Sequence, residues 1–167
     1  MAKKKKNQLT AGTAAVQALL AADIPFEARE YEHRDGETAF GLEAAKSLGR
    51  SEDQVFKTLM IHHDKDFAIC VVPVAGKLNV KAAAAALGWK SAKLADPAVA
   101  EKRSGYVVGG ISPIGQKTSH PTLIDESAQN FDTILVSGGK RGLDVEISAE
   151  NLRTVVNGSF HRIATQR

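Results

Sequence analysis

Two apolar segments joined by a short polar stretch dominate the middle of the chain. Residues 55–61 and 67–74 are rich in β-branched and other apolar side chains, and the five residues between them are polar. This pattern predicts two strands joined as a β-hairpin. Because successive side chains point to opposite faces of a strand, the first strand has apolar side chains on both faces. Such strands are typically covered on both sides, so the fold must supply further elements on each face of the hairpin.

A lysine lies within the first of these strands. Lys57 shares a face with the apolar residues Val55, Leu59 and Ile61. A lysine in such surroundings either extends its long stem to water or holds an anion with its ammonium group. The first arrangement is the commoner one, whereas the second would make Lys57 a binding or catalytic residue. The position in the strand leaves both open.

Composition and charge are those of an ordinary globular domain. The chain has 167 residues, of which 43% are hydrophobic and 25% charged, and we expect one domain over residues 9–167. Residues 1–8 contain four consecutive lysines and are predicted to be a disordered basic tail. No apolar run is long enough to span a bilayer, and polar residues interrupt the segment after the tail. We therefore expect a cytoplasmic protein with no membrane partner. Its net charge of +3 permits binding to nucleic acid without demonstrating it.

Several common kinds of site are not supported by the sequence. Cys70 is the single cysteine, so an internal disulfide and a multi-cysteine metal site are excluded, and we expect this thiol in the core. The five histidines lack the spacings typical of zinc sites. A nucleophile elbow, a Rossmann fingerprint and a Walker A loop are all absent from the sequence. We expect neither a metal nor another cofactor.

Helices and strands follow one another without a regular βαβ repeat, which predicts the α+β class with a mixed or mostly antiparallel sheet. Thr10 is the predicted cap of the first helix. Helices are predicted over residues 10–23, 38–48, 80–87, 97–105 and 148–158. Strands are predicted over residues 26–31, 55–61, 67–74, 106–108, 122–125, 132–137, 143–147 and 160–163.

Two glycine-rich segments are candidate binding loops. Residues 109–115 contain three glycines and a proline, so their backbone can approach a ligand closely and present several N–H groups to one oxygen. A tight turn between strands is the alternative interpretation. Residues 138–142 are predicted to form a hairpin loop that carries two basic side chains. Further candidates for the site are Tyr31, Lys57, Thr58, Ser112, Ser137 and Asp144, which sequence spacing alone does not bring together.

Three segments of the chain resemble the YbaK-type deacylases and follow one another in the order found in that family. They are the strand over residues 55–59, the loop over residues 109–115 and the segment over residues 137–145. These are free-standing relatives of the editing domain inserted in some bacterial prolyl-tRNA synthetases. The resemblance extends from about residue 10 to residue 163. It implies a compact α+β fold in which helices surround a mixed, barrel-like sheet.

The resemblance also implies an activity. Members of the matching subgroup remove cysteine from mischarged tRNA(Pro), and Cys-tRNA(Cys) is a further candidate substrate. Prolyl-tRNA synthetase admits cysteine because cysteine and proline are similar in size, and binding separates such pairs poorly. The implied partners are the 3′ end of aminoacyl-tRNA and, transiently, prolyl-tRNA synthetase. The substrate's own thiol is the implied nucleophile, with an activated water as the alternative.

Roles for individual residues follow from the same resemblance. Lys57 matches the key lysine of the family and would hold a phosphate or ribose at the tRNA 3′ end. Gly109 and Gly110 would direct backbone N–H groups to the ester carbonyl and stabilise its developing negative charge. The remaining matches would bind or orient the substrate, and they are Tyr31, Phe40, Thr58, Ser112, Pro113, Ser137 and Asp144.

Two other functions stay open at this point. A sister subgroup hydrolyses Ala-tRNA(Pro), and turnover of the two aminoacyl groups would distinguish them. A non-catalytic module that binds tRNA or a synthetase is the alternative from a different class. The presence of Lys57 and of the complete glycine loop favours the enzyme.

Overall fold

The computed structural model describes residues 12–165, so the predicted basic tail and the Thr10 cap lie outside the described part of the chain. The helices are α1 (Ala14–Ala21), α2 (Phe40–Leu48), α3 (Val80–Leu87), α4 (Pro97–Ser104) and α5 (Ala149–Val156), with a 3-10 helix at Glu126–Asn130. The strands are β1 (Glu27–Glu30), β2 (Phe56–His63), β3 (Asp66–Pro73), β4 (Lys77–Leu78), β5 (Lys93–Leu94), β6 (Thr122–Asp125), β7 (Ile134–Lys140), β8 (Leu143–Ile147), β9 (Ser159–His161) and β10 (Ala164–Thr165).

A five-stranded sheet in the order β5-β2-β3-β6-β9 forms the centre of the fold. The predicted hairpin is confirmed, since β2 and β3 are antiparallel from the Phe56–Pro73 pair to the His63–Asp66 pair. By contrast, β6 lies parallel to β3, and β9 lies parallel to β6. The sheet is therefore mixed, as the order of helices and strands predicts.

A second sheet, in the order β1-β8-β7, is antiparallel throughout. Among the described residues a parallel bridge between Val55 and Leu135 connects it to the central sheet. There the Leu135 N–H donates to the Gln54 carbonyl at 3.1 Å. The short strands β4 and β10 form a third sheet. Within residues 12–165 the α+β class is confirmed, but these sheets do not close into a barrel, so a barrel-like sheet stays a prediction.

Both faces of the central hairpin are covered, as its apolar pattern requires. On one face Phe56 and Met60 belong to the largest core cluster, which includes residues of α1, β7, β8 and α5. On the other face Ile61 and Cys70 pack with Ala83 of α3. Cys70 is fully buried, and burial raises the pKa of its thiol to about 12, which confirms its predicted place in the core. None of the described helices has the length and hydropathy needed to cross a membrane.

Two local predictions are wrong. Residues 106–108 form a turn rather than a strand, because Tyr106 turns inward and donates its hydroxyl hydrogen to the Ile114 carbonyl at 2.6 Å. The predicted five-residue loop over residues 138–142 is much shorter, since β7 continues to Lys140 through an irregular register after Ser137. The hairpin turn is left to Arg141 and Gly142, and Gly142 has a φ of 86°, which favours glycine.

Helix ends mostly follow the capping rules that the sequence signals indicate. Asn79 and Ser148 cap α3 and α5 through their side chains, and Thr13 caps α1 in the same way. Gly49 and Gly88 end α2 and α3 in the left-handed conformation.

A partly buried carboxylate joins four segments beside the second sheet. Glu146 of β8 accepts hydrogen bonds from Arg29 of β1 and from both terminal nitrogens of Arg50, all at 2.9 Å. Thr133, just before β7, donates its hydroxyl hydrogen to the same carboxylate. Burial alone would raise the pKa of Glu146, but the hydrogen bonds from Thr133, Arg50 and Arg29 outweigh it and lower this pKa to about 2.

Glu146→Gln should destabilise the protein at neutral pH, because it leaves Arg29 and Arg50 without their charged partner. We expect a loss of about 2 kcal/mol at pH 7. Because the folded-state pKa is depressed, the wild-type advantage is complete above about pH 4.5 and falls as the pH approaches about 2. Urea unfolding at pH 7, 5 and 3.5 measures this.

The matched control is Glu150→Gln, which removes an exposed carboxylate paired with Arg153 on α5. Its urea midpoint should stay close to that of the wild type, because exposed ion pairs contribute little. Equal effects of the two substitutions would contradict a special role for Glu146.

Candidate active site

A cavity of about 500 Å³ lies along one edge of β2. Six consecutive residues of this strand region, 55–60, line it. The start of α2, the segment that leads into α4 and the glycine loop enclose it, together with single residues of the second sheet. Outside residues 55–60 the lining consists of Tyr31, Thr38, Ala39, Phe40, Gly41, Leu42, Ala44, Val74, Leu94, Ala95, Pro97, Ala100, Val108, Gly109, Ile111, Ser137 and Asp144.

The register of the sheet explains why a cavity forms at this edge. The Val74 N–H donates to the Val55 carbonyl, so the odd-numbered residues of β2 direct their peptide groups to β3. Even-numbered residues direct theirs to the opposite edge. There the Gln54 carbonyl accepts from Leu135 at one end, and the Met60 carbonyl accepts from Ala95 at the other. Between these two points no strand of residues 12–165 pairs with β2, so the peptide groups of Thr58 face the cavity.

The side chain of Thr58 is a second polar group at this edge. Its Oγ1 atom is buried and has no hydrogen-bond partner among the described residues. Buried hydroxyl groups are normally hydrogen-bonded, and leaving one unpaired costs free energy. Because Thr58 lines the cavity, it brings an unpaired, buried hydroxyl to the cavity wall.

Lys57 is half-buried beside the cavity, and its Nζ donates to the Gly76 carbonyl at 3.0 Å. Burial lowers the pKa of its ammonium group, and the neighbouring charge of Lys77 lowers it further. An ammonium group has three N–H donors, and this hydrogen bond uses one. A partly desolvated cation with donors to spare is suited to hold an anionic or hydroxyl-bearing ligand.

Gly109 presents an unpaired backbone donor. It lines the cavity, has a φ of +88°, and would place a Cβ 2.6 Å from the Phe40 ring, so only glycine fits here. Its N–H has no acceptor among residues 12–165. Phe40 therefore lies directly against the loop, at the start of α2, as one wall of the cavity.

The structure places Gly110 differently from Gly109. Its N–H donates to the Val107 carbonyl at 2.8 Å, and Gly110 does not line the cavity. A Cβ at this position would lie 2.7 Å from the Cα of Lys140. Gly110 is thus required for close packing against the β7–β8 turn, and the free donor of this loop is the Gly109 N–H.

Two further predicted residues also lie outside the cavity. Ser112 is fully buried, and its Oγ accepts from the Ile114 N–H at 3.2 Å. Pro113 follows it and is buried as well. Both shape the glycine loop from behind, so the structure does not bring them to a ligand in this cavity.

Asp144, Tyr31 and Ser137 form the wall contributed by the second sheet. Asp144 is opposite Ser137 in the β7–β8 pairing and is 5% exposed. Burial raises the pKa of this carboxyl to about 7. Burial and the charge of Asp144 raise the pKa of Tyr31 to about 12. The Ser137 Oγ accepts from the Gly139 N–H at 3.2 Å. At neutral pH the cavity therefore contains a carboxyl group able to accept or donate a proton.

The sequence interpretation missed Glu43, which supports this wall from behind. Glu43 lies on α2 and is 9% exposed. Its carboxylate contacts the His33 Nδ1 atom at 2.6 Å and accepts from the Arg34 N–H at 2.8 Å. Burial opposes its charge, but these hydrogen bonds outweigh burial and lower its pKa. The His33 ring lies 5.6 Å from that of Phe40, so Glu43 fixes the turn beside the cavity. Its spacing of three residues from Phe40, on one helix face, was the available signal.

The described residues contain no group of three histidine, cysteine or acidic residues that could hold a metal ion. The expectation that the site uses no metal stays a prediction.

Asp144→Asn should change how the stability of the protein depends on pH. Because the folded protein keeps a proton on Asp144 that the unfolded chain releases, wild-type stability is lost as the pH rises from about 4 to about 7. The difference between wild type and variant should move in favour of the variant by up to about 1.4 kcal/mol per pH unit in this range. Urea unfolding at pH 4.5, 6 and 7.5 provides the comparison.

Asp132→Asn, at an exposed position before β7, serves as the control and should show no such trend. A wild-type advantage that grows with pH would mean that Asp144 is stabilised as a carboxylate, contrary to the argument from burial.

Comparison with known proteins identifies the family of this chain. A family model described as an aminoacyl-tRNA editing domain matches residues 33–155. The chain is 36% identical over 168 residues to an Enterococcus faecalis protein named as a Cys-tRNA(Pro)/Cys-tRNA(Cys) deacylase, EbsC, and the alignment covers 99% of both chains.

Two solved structures share the fold. One is described as a trans-editing enzyme for prolyl-tRNA synthetase, with a TM-score of 0.81 and 20% identity over 91% of this chain and 95% of the other. The other is the hypothetical protein APE2540, with a TM-score of 0.82 and 21% identity over 91% and 99% of the two chains. At this identity the likeness concerns the fold alone. The family model and the full-length relative show that the protein belongs to the aminoacyl-tRNA editing domain family, as the order of its motifs implies.

Proposed function

We propose that this protein is a trans-editing enzyme that hydrolyses the ester bond of Cys-tRNA(Pro), with Cys-tRNA(Cys) as a further substrate. The observation that carries the proposal is the content of one cavity. Seven of the ten residues that the sequence singles out line it, namely Tyr31, Phe40, Lys57, Thr58, Gly109, Ser137 and Asp144. The name of the full-length relative supports the same substrates.

Size and polarity of the cavity suit the end of an aminoacyl-tRNA. A volume of about 500 Å³ is in the range of small-molecule sites. Lys57 supplies a cation for the phosphate or ribose of the terminal adenosine, and the open edge of β2 supplies peptide groups for hydrogen bonds. The Gly109 N–H is available for the ester carbonyl oxygen. Such a donor stabilises the negative charge that develops as the carbonyl is attacked.

The substrate thiol is the nucleophile in this proposal. Its sulfur bonds to the ester carbonyl carbon, the bond from this carbon to the ribose oxygen breaks, and the thiol proton passes to the departing oxygen. A cyclic thioester results, and water opens it to free cysteine. Orientation of a nucleophile that the substrate already carries can lower the barrier by about 7–11 kcal/mol.

The groups in the cavity are consistent with attack by the substrate thiol rather than by a protein side chain. Among residues 12–165, those that line the cavity include no cysteine and no histidine, so the described part of the chain places no imidazole base in the cavity with the hydroxyls of Thr58 and Ser137. In this proposal Asp144, whose pKa is raised to about 7, receives the thiol proton and returns it. Recognition of tRNA(Pro) rather than other tRNAs comes from a transient complex with prolyl-tRNA synthetase.

Lys57→Ala should abolish most of the activity, because the variant lacks the cation that holds the 3′ end. We expect the rate of cysteine release from Cys-tRNA(Pro) to fall by a factor of about 100. Release of labelled cysteine from purified substrate measures it, with circular dichroism to show that the variant is folded.

Lys77→Ala is the matched control, since Lys77 is exposed, close to Lys57 in space and absent from the cavity lining. Equal release by wild type and Lys57→Ala would keep the activity but remove Lys57 from the site. Absence of release from wild type would favour a non-catalytic binding module.

The identity of the aminoacyl group tests the nucleophile. Cys-tRNA(Pro) should be cleared at least about tenfold faster than Ser-tRNA(Pro), whose hydroxyl is a poorer nucleophile, and Ala-tRNA(Pro) should be cleared slowest because it has none. Single-turnover rates on the three substrates decide this. Rapid hydrolysis of Ala-tRNA(Pro) would instead indicate an activated water and an alanine-specific editing enzyme.

A further inference from the structure

The turn between β7 and β8 is packed against the glycine loop. A Cβ added to Gly110 would lie 2.7 Å from the Cα of Lys140 and 2.9 Å from the backbone nitrogen of Arg141. The basic glycine-rich segment recognised in the sequence is therefore the outer support of this loop. Its two basic side chains, Lys140 and Arg141, have no part in the proposed function.

Arg141 makes two specific contacts with the cavity wall, although it does not line the cavity itself. Its Nε donates to the Val108 carbonyl at 2.8 Å. Its guanidinium carbon lies 4.9 Å from the centre of the Phe40 ring. An exposed arginine that bonds one backbone carbonyl and covers one aromatic ring is held in a defined place.

The residue that Arg141 bonds is fixed from its other side as well. The Val108 N–H donates to the Glu101 carboxylate of α4 at 2.8 Å. Both peptide groups of Val108 are thus bound to charged side chains, and hydrogen bonds to charged groups are stronger than those between neutral groups. The orientation of the peptide that joins Val108 to Gly109 follows from these two contacts.

This orientation determines where the free donor of the loop points. None of the peptide bonds of the described chain is cis, and in a trans peptide the C=O and the following N–H point in opposite directions. Because the Val108 carbonyl points to Arg141, the Gly109 N–H points away from Arg141. Gly109 lines the cavity, whereas Arg141 does not.

We infer that Arg141 is a positioning residue for catalysis: by holding the Val108 carbonyl, it keeps the Gly109 N–H directed into the cavity. Glycine at position 109 can rotate freely, so an unheld peptide would lose the donor by a flip of this one unit. The inference rests on the proposed function, in which the Gly109 N–H stabilises the ester oxygen during attack. The inference itself concerns the direction of the Gly109 N–H, which can be measured in the absence of substrate turnover.

Two substitutions separate the donor of Arg141 from its charge. Arg141→Gln places an amide N–H at the position of Nε but carries no charge, whereas Arg141→Met has a similar length and no donor. We expect Arg141→Met to lower kcat for cysteine release by a factor of about 10 to 100 with KM within about twofold. Arg141→Gln should recover most of that kcat. Lys140→Ala, which removes a neighbouring exposed charge, is the control and should leave both constants unchanged.

The amide resonance of Gly109 gives an independent readout. In ¹⁵N-labelled protein it should shift strongly in Arg141→Met and little in Arg141→Gln, because only the former frees the peptide. This holds even if the wild type releases no cysteine, an outcome that would count against the proposed function alone.

Three results would overturn the inference. An unchanged Gly109 resonance in Arg141→Met is one. An unchanged kcat in that variant, with an active wild type, is another. The third is an equal rise of KM in Arg141→Gln and Arg141→Met that depends on salt, since this would make Arg141 a phosphate contact rather than a positioning residue.

Discussion

The interrupted pairing of β2 is the constraint on which the rest of the structure depends. β7 bonds this strand region before Phe56, β5 bonds it after Met60, and the edge between them has no strand of residues 12–165 beside it. Helix α2, the glycine loop and the segment before α4 cover that stretch instead. Helices and loops do not continue a ladder of hydrogen bonds, so the covered edge stays a cavity with peptide groups in its wall. The site is thus a consequence of strand order, and the side chains of the site are those that this edge exposes.

Carboxylates around the cavity differ according to the donors that the fold gives them. Glu146 and Glu43 are surrounded by N–H and O–H groups from other segments, and their pKa values are lowered despite burial. Both join segments that form the walls. Asp144 is buried without such donors among the described residues, and its pKa is raised to about 7. The fold therefore places hydrogen-bond donors beside the structural carboxylates Glu146 and Glu43 but none from the described residues beside Asp144. For this reason Asp144 can exchange a proton at neutral pH.

Much of this arrangement could be predicted from local sequence, and the part that could not depends on tertiary contacts. The hairpin, its burial on both faces and the place of Lys57 follow from alternation along one strand. Three glycines in a loop also signal close approach. The different roles of the loop residues depend on tertiary contacts, however: Gly110 packs against the β7–β8 turn, whereas Gly109 lies against Phe40 and lines the cavity. Ser112 is fully buried away from the cavity. The sequence does not distinguish Arg141 from its neighbour Lys140 as the residue that bonds the glycine loop, because that contact depends on how the β7–β8 turn packs against the loop.

Selectivity in such a cavity depends on what its unpaired donors require. The Thr58 hydroxyl and the Gly109 N–H are both without partners in the described chain, and the Thr58 Oγ1 atom is already buried in the ligand-free protein. The Gly109 N–H is assigned to the ester carbonyl, which every aminoacyl-tRNA carries, so the Thr58 hydroxyl is the donor that can distinguish side chains. A ligand whose side chain offers a thiol or another acceptor to the Thr58 hydroxyl gains a hydrogen bond, whereas one that offers only carbon leaves this hydroxyl unpaired and desolvated. A site with an unpaired buried donor discriminates against an apolar analogue far more strongly than an apolar pocket discriminates between ligands that differ by one methylene group. The chemical contrast between a thiol-bearing side chain and the ring of proline is of this type, so a free editing enzyme can discriminate them where a pocket sized for proline cannot.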